Sequence, residues 1–305
     1  MIRLLGSEWL RFRSRRIVRW LMLISVVGVV VVALLAASAS DKPTDAQLRS
    51  SERRYDRAVA QCIEQNGFGE VPEGASVEAD CRGRYSRYEF TGALGVRLDE
   101  LSELVLGAAF IVVLIGLVLG ASMVGASWQT GTITTILTWE PRRVRWFLSR
   151  VVVIAVGAAL VAAVLLAILA AALACVAALR GTTATSTPWI ADTALTVLRI
   201  GAAAGGIAVI GGAVAMIGRH TAAALGAVFV YLAVLESIVR GLRPAMGRFM
   251  LGDNLTTVLT AHTLTVHQDT ATYLLTPQRG AVVIGVYVLV LVGVSLALLR
   301  VRDVN

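Results

Sequence analysis

The chain has 305 residues, 57% hydrophobic and only 16% charged, with a mean hydropathy of +0.75 and a formal charge of +8. A soluble domain carries about 25% charged residues, so this composition excludes a soluble globule and predicts an all-α integral membrane protein. It also argues against nucleic acid as a partner, because the arginines cluster at the ends of apolar runs and no separate basic domain gathers them.

The opening stretch, MIRLLGSEWLRFRSRR, is basic, and no convincing cleavage motif follows the next apolar run, which argues against a removable leader. Ile2, Leu5, Trp9 and Phe12 approximate one helix face, with Arg3, Arg11, Arg13 and Arg15 largely elsewhere. This predicts an amphipathic helix over residues 1–16, lying in the membrane interface. A six-span domain is expected over 17–305, each span reaching the roughly 18–25 residues that cross a bilayer. The spans are predicted near Ile17–Ala39, Glu103–Ala126, Val151–Leu179, Ile200–Ile217, Thr221–Val239 and Ala281–Leu299. Starting the fourth at Ile200 leaves Arg199 at the outer boundary, out of lipid, where a charge costs several kcal/mol. The N-terminal arginines, Arg142–Arg150, Arg219, Arg300 and Arg302 fall on one side, predicting a multi-pass protein with both termini in the cytoplasm. Arg240, Arg243 and Arg248 on the other side reduce the contrast.

The first outer loop, residues 40–99, reads as a helical hairpin. Leu48, Tyr55, Val59, Cys62 and Ile63 mark one apolar stripe, Val77, Cys81, Tyr85 and Tyr88 another, and NGFGEVPEGAS between them is turn chemistry. Cys62 and Cys81 are either two idle thiols or one disulfide. An oxidising exterior favours the disulfide, worth about 3 kcal/mol for a loop of that size. Cys175, inside an apolar run, reads as a small packing residue.

Between the second and third spans lies GASWQTGTITTILTWEPRRVRWFLSR, with a predicted coupling region over 127–147. Ile133, Ile136 and Leu137 fall at helical spacing on one face, and Pro141 stops the helix before Arg142, Arg143, Arg145 and Arg150. Thr130, Thr132, Thr134, Thr135 and Thr138 are poor helix formers, so this helix is marginal unless a partner supports it. The plainer alternative is an ordinary basic loop, which needs no apolar stripe. Lys42 is the one lysine and has no glycine-rich loop before it, so a P-loop is excluded and any ATP and Mg must sit on another polypeptide.

Glu236 is the only carboxylate well inside a predicted span. Arg240, four residues on, makes it half of a predicted ion pair at the outer mouth. The loop 240–280 is moderately apolar without a clear period, which suits short helices dipping into the outer leaflet. His262, His267 and Asp269 there lack the spacing and number of a metal site and read as polar loop residues. No residue pattern in the chain points to catalysis or to a cofactor bound by it.

GSEWLRFRSRR before the first span, GASWQTGTITTILTWEPRR after the second and IGRHTAAALG between the fourth and fifth resemble the actinobacterial branch of the type 2 ABC exporter permeases. The matching residues are Glu8-Trp9, then Gly131-Thr132-Ile133 through Leu137 with Pro141-Arg142-Arg143, then Arg219 with Thr221-Ala222; Trp128 and Thr130 are expected to share the ATPase contact of the second segment. Members of that family often carry a glutamate where this chain has Ser127, which leaves any acidic contact to the ATPase weaker or differently made. The resemblance implies a non-enzymatic transmembrane subunit in a bacterial plasma membrane. An identical or paralogous permease would pair with it, and a separate ABC ATPase would bind below. Thr130–Trp139 would be the coupling helix, and the cargo a hydrophobic or amphipathic small molecule or lipid. The alternatives left by the residues are an ion-gradient-driven secondary transporter and a membrane-anchored assembly or sensor protein.

Overall fold

The architecture comes from a computed structural model that describes residues 2–40, 44–65, 76–85, 90, 96–98, 100–139, 142–180, 189–268 and 271–301. In chain order the helices are α1 (Ile2–Ser14), α2 (Arg16–Ser38), α3 (Asp45–Glu64), α4 (Val77–Arg84), α5 (Leu101–Gly107), α6 (Ala109–Gln129), α7 (Thr132–Trp139), α8 (Arg143–Arg180) and α9 (Trp189–Gly218). Then come α10 (Thr221–Val230), a π-helical segment (Tyr231–Leu235), α11 (Glu236–Leu242), a 3-10 turn (Pro244–Phe249) and α12 (Leu251–Thr260). The strands β1 (Leu264–Gln268) and β2 (Ala271–Leu275) precede α13 (Pro277–Val301). Six helices are long and apolar enough to cross a membrane: α2, α6, α8, α9, the continuous Thr221–Leu242 and α13. The protein is a multi-pass helical membrane protein.

The chain forms two compact units, one of Met1–Val29, Ser102–Ala171 and Pro188–Asn305, the other of Val30–Leu101 and Ala172–Thr187. In the first, α9 is the central helix: 78% of its most apolar window is buried, against 6% for α2. Lipid tails give helices no hydrophobic reason to associate, so close backbone approach has to hold them together. Gly116 and Gly120 of α6 provide it. A Cβ on Gly116 would lie 2.8 Å from the Ala204 carbonyl oxygen, and one on Gly120 would overlap the carbonyl of Ala208. On its other side α9 meets α8, where a Cβ on Gly205 would lie 2.7 Å from the Ala155 carbonyl oxygen.

Several expectations are corrected here. Helix α9 starts at Trp189, so Arg199 lies within a helix and not at its edge. Its Nε donates to the Leu259 carbonyl (3.0 Å) and its Nη2 to Thr196 Oγ1 (3.4 Å). Carbonyls in the last turn of a helix lack internal partners and carry partial negative charge, so the end of α12 is a fitting acceptor for this cation. Helix α8 has 38 residues, about 57 Å at 1.5 Å per residue, and exceeds a hydrocarbon core of about 30 Å. Arg143, Arg145 and Arg150 therefore belong to its first turns and not to a loop. The second predicted span divides at Ala108 into α5 and α6. The loop 240–280 is not helical throughout: β1 and β2 pair antiparallel, with Leu264 opposite Leu275 and Val266 opposite Tyr273. Thr265, Val266, Thr272 and Tyr273 are β-branched or aromatic, which favours the pleat. His262 precedes this hairpin and the backbone of His267 belongs to β1, while Asp269 lies outside the described residues.

In the second unit, Thr44 and Gln47 close a reciprocal capping box at the start of α3. Tyr55, Val59, Cys62 and Cys81 are buried together, with Val77, Tyr85 and Phe90 packed against them. Cys62 and Cys81 form a disulfide with their Cα atoms 5.9 Å apart. Ile63, placed on the same stripe by spacing, is 38% exposed instead. Tyr88 and residues 66–75 lie outside the described residues. Cys175 is not a packing residue but an exposed one on α8.

Candidate functional site

One end of the first unit gathers α1, the end of α6, α7, the start of α8 and the α9–α10 turn. Helix α1 is fixed there by charge and by packing. Glu8, 1% exposed, accepts from Arg150 Nε (3.1 Å) and from Arg11 Nη1 (2.9 Å), and Arg150 is equally buried. The Arg150 guanidinium also stacks 4.8 Å over the Trp146 ring. Phe12 is buried in the core, against a gap at Gly157 where a Cβ would lie 2.8 Å from the Phe12 ring. Between α1 and α2, Arg15 Nη1 donates to the Ser122 carbonyl (2.8 Å) and Nη2 to Ser127 Oγ (3.2 Å). Burial, and after it the positive charge of Arg150, push the Arg15 guanidinium down to about 10. It stays protonated at neutral pH, held by those two oxygens and by the Glu8 carboxylate. Helix α1 is therefore docked onto the bundle as well as amphipathic.

Helix α7 follows directly. Thr130 caps α6, its hydroxyl donating to the Ala126 carbonyl (2.9 Å) and sharing a hydrogen bond with Thr132 Oγ1 (2.6 Å). Gly131 takes a left-handed φ of +66°, the conformation that turns the chain off the end of α6 and that only glycine adopts cheaply. Thr132, Thr135 and Thr138 are exposed, whereas Ile133 is 1% exposed and packs into the core that holds Met123, Trp146 and Met216. Ile133 therefore faces its own bundle and is not part of a free docking face. Ile136 and Leu137 have their backbone in α7, but their side chains, like Pro141, lie outside the described residues. Arg142 is exposed. Arg143 reaches the end of α13, Nη1 donating to the Leu299 carbonyl (3.1 Å).

Two segments of the sequence resemblance meet in space. The Arg219 guanidinium lies 4.7 Å over the Trp128 ring, and Trp128 Nε1 donates to Met216 Sδ (3.2 Å). Arg219 holds a left-handed φ of 54°, uncommon outside glycine, in the turn before α10. His220 Nδ1 accepts from Ala222 N (3.1 Å) and caps that helix. Ser127 is buried at 2% exposure and turned towards Arg15, so an acidic residue there would meet this chain's own arginine before any partner's.

The predicted pair of Glu236 with Arg240 forms, and it has a second acid. Arg240 lies 3.9 Å from Glu236 but 3.0 Å from Asp253, which spacing along one helix does not reveal. Glu236, 3% exposed, accepts from Gly252 N at 3.0 and 3.3 Å. A Cβ on Gly252 would sit 2.6 Å from Glu236 Oε2, so glycine permits this approach. Burial, and then the Asp253 carboxylate, raise the nearby Tyr273 phenol.

The sequence singles out Trp128, Thr130–Ile133 and the arginines, but it does not show that Glu8 pairs with Arg150, Arg15 with Ser127 and Arg219 with Trp128. The available signal for the first was an acid alone among arginines in an interfacial helix. Among the described residues, no group of three or more His, Cys, Asp or Glu side chains gathers as metal ligands. In comparisons with known proteins, no protein family, no curated sequence and no solved structure matches the chain. What the structure carries by itself is a multi-pass helical membrane protein with a short polar-faced helix presented at the arginine-rich end of its bundle.

Proposed function

We propose that the chain is the transmembrane subunit of an ATP-driven exporter and that α7 is the element a separate ATPase engages. The observation that carries the reading is the construction of α7. A threonine-rich helix of eight residues is too short to be stable alone. It is plugged into the bundle by Ile133 on one side and presents Thr132, Thr135 and Thr138 on the other. Movement imposed on that outer face passes through Ile133 to Met123, Trp146 and Met216, and hence to α6, α8 and α9. The Glu8–Arg150 and Arg15–Ser127 contacts tie α1 to α8 and α6, the helices that Ile133 packs against.

The exposed apolar faces of α2 and of Thr221–Leu242, including Phe229, Val234 and Ile238, suit lipid or a second permease subunit. The arginines at that end support an orientation with α7 in the cytoplasm. Tagged chain purified from its own membranes should bring down a Walker-motif ATPase in near-stoichiometric amount, and ATP hydrolysis should leave with that subunit when it is stripped off. Hydrolysis by the stripped chain, or the absence of any such ATPase, would refute the reading.

A further inference from the structure

Where α1 ends and α2 begins, the helix is interrupted at Arg15, and residues of α1, α2 and α8 line a common space. Val18 is buried at the root of α2 and Phe12 at the end of α1, while most of α2 beyond them is exposed. The space left between is a cleft of about 570 Å³, within the roughly 300–1,000 Å³ of ordinary ligand sites. Its inner walls are apolar: Trp9 and Phe12 on α1, Val18 and Met22 on α2, Leu160, Val161 and Val164 on α8. Arg13 and Arg19 line it too, and both are exposed. Arg16 and Arg19, with Trp20 and Leu23, border a second hollow of about 320 Å³ on the same helix. No carboxylate lines either space, and among the described residues none pairs with Arg13, Arg16 or Arg19; Arg19 only reaches the Ser14 carbonyl (3.4 Å).

We infer that this cleft is a binding site for one anionic phospholipid of the surrounding membrane. Its phosphate would be held by Arg13 and Arg19, and an acyl chain would lie along Met22, Val161 and Val164. The two halves of the site match the two halves of that ligand. Guanidinium groups pair with phosphate through short, charge-assisted hydrogen bonds, and arginines at a span end stand at headgroup depth. Beneath them the wall becomes continuous hydrocarbon for the length of the groove, which a soluble anion would leave wet. A bound chain also completes the packing of the lower part of α2, which the bundle itself does not cover. Trp9, at the junction, is the residue type that settles at the boundary between headgroup and tail. The site needs a membrane and no ATPase, so its test is separate from that of the exporter reading.

The test is native mass spectrometry of the purified full-length chain, titrated with phosphatidylglycerol and, separately, with phosphatidylcholine. The wild type is expected to retain one phosphatidylglycerol at least tenfold more tightly than phosphatidylcholine. Arg13→Gln/Arg19→Gln should abolish that preference, and Arg13→Lys/Arg19→Lys should keep most of it. Val164→Trp, which fills the cleft and leaves both arginines, should lose retention of either lipid, while Arg248→Gln, outside the cleft, should change nothing. Monodisperse elution and unchanged helicity qualify each variant. Equal retention of the two lipids by the wild type would overturn the site. So would an unchanged preference in the glutamine variant, or a lipid-free dimer that Val164→Trp dissociates, which would give the cleft to a second copy of the chain.

Discussion

At the scale of single residues, the decisive feature is a carboxylate buried among arginines. Glu8 is enclosed by Arg150 and Arg11, with Arg15 close behind. Removing one member of a buried pair leaves the other charge without compensation, which costs roughly 3–5 kcal/mol, whereas replacing both by apolar groups costs far less. Glu8→Gln should therefore destabilise the detergent-solubilised protein by about that amount in thermal unfolding, and Glu8→Met/Arg150→Met should recover a large part of it. A double variant no better than Glu8→Gln would mean that the pair contributes nothing specific. Local pattern marked Glu8 as an acid alone among arginines but not its partner, because residues 8 and 150 come together only through the docking of α1 on α8. The Arg240–Asp253 contact escaped for the same reason: Glu236 stands at the favoured helical spacing, but the nearer acid arrives from α12. By contrast, Cys62 and Cys81 could be paired in advance, since each lies on an apolar stripe of a helix and the two helices are close in sequence.

At the scale of elements, composition and periodicity located the spans well and their ends poorly. Apolar runs dictate where helices cross, but partners decide where they stop. Arg199 stands just before the predicted fourth span, but α9 reaches back past it to Trp189 and the end of α12 supplies its acceptor, and the basic residues from Arg143 on extend the third span as the first turns of α8. The β-hairpin at Leu264–Leu275 was missed because two five-residue strands are too short to set up a clear alternation. The α6–α9 contact gives a sharp prediction. Gly120→Leu drives a side chain into the Ala208 backbone, and overpacking of that kind costs about 1–3 kcal/mol or more. Gly28→Leu, with open space around it, should be nearly neutral. Their relative melting temperatures in one detergent check this, and similar losses for both would contradict the packing. In the other unit, Cys62→Ser should release about 3 kcal/mol of loop constraint and expose α3 and α4 to limited proteolysis, without affecting insertion of the spans.

At the scale of the whole molecule, the proposed topology puts the α7 end of the bundle in the cytoplasm and the α12 end outside. Cysteines placed at Ser50 or Thr256 in a cysteine-free background should react with an impermeant maleimide from outside intact cells, and one at Gln129 should not. The reverse pattern at any position would invert the topology. The central claim is that an ATPase rests on the outer face of α7, and substitution of Ile133 cannot test it, because that side chain belongs to the protein's own core. The exposed threonines can. A photoreactive phenylalanine analogue at Thr135 should crosslink, in native membranes, to a Walker-motif ATPase, and the same group at Ser237, exposed on α11, should not. An ATPase captured from Thr135 alone is the result predicted. Capture of no ATPase from Thr135, with the chain inserted and intact, would contradict it.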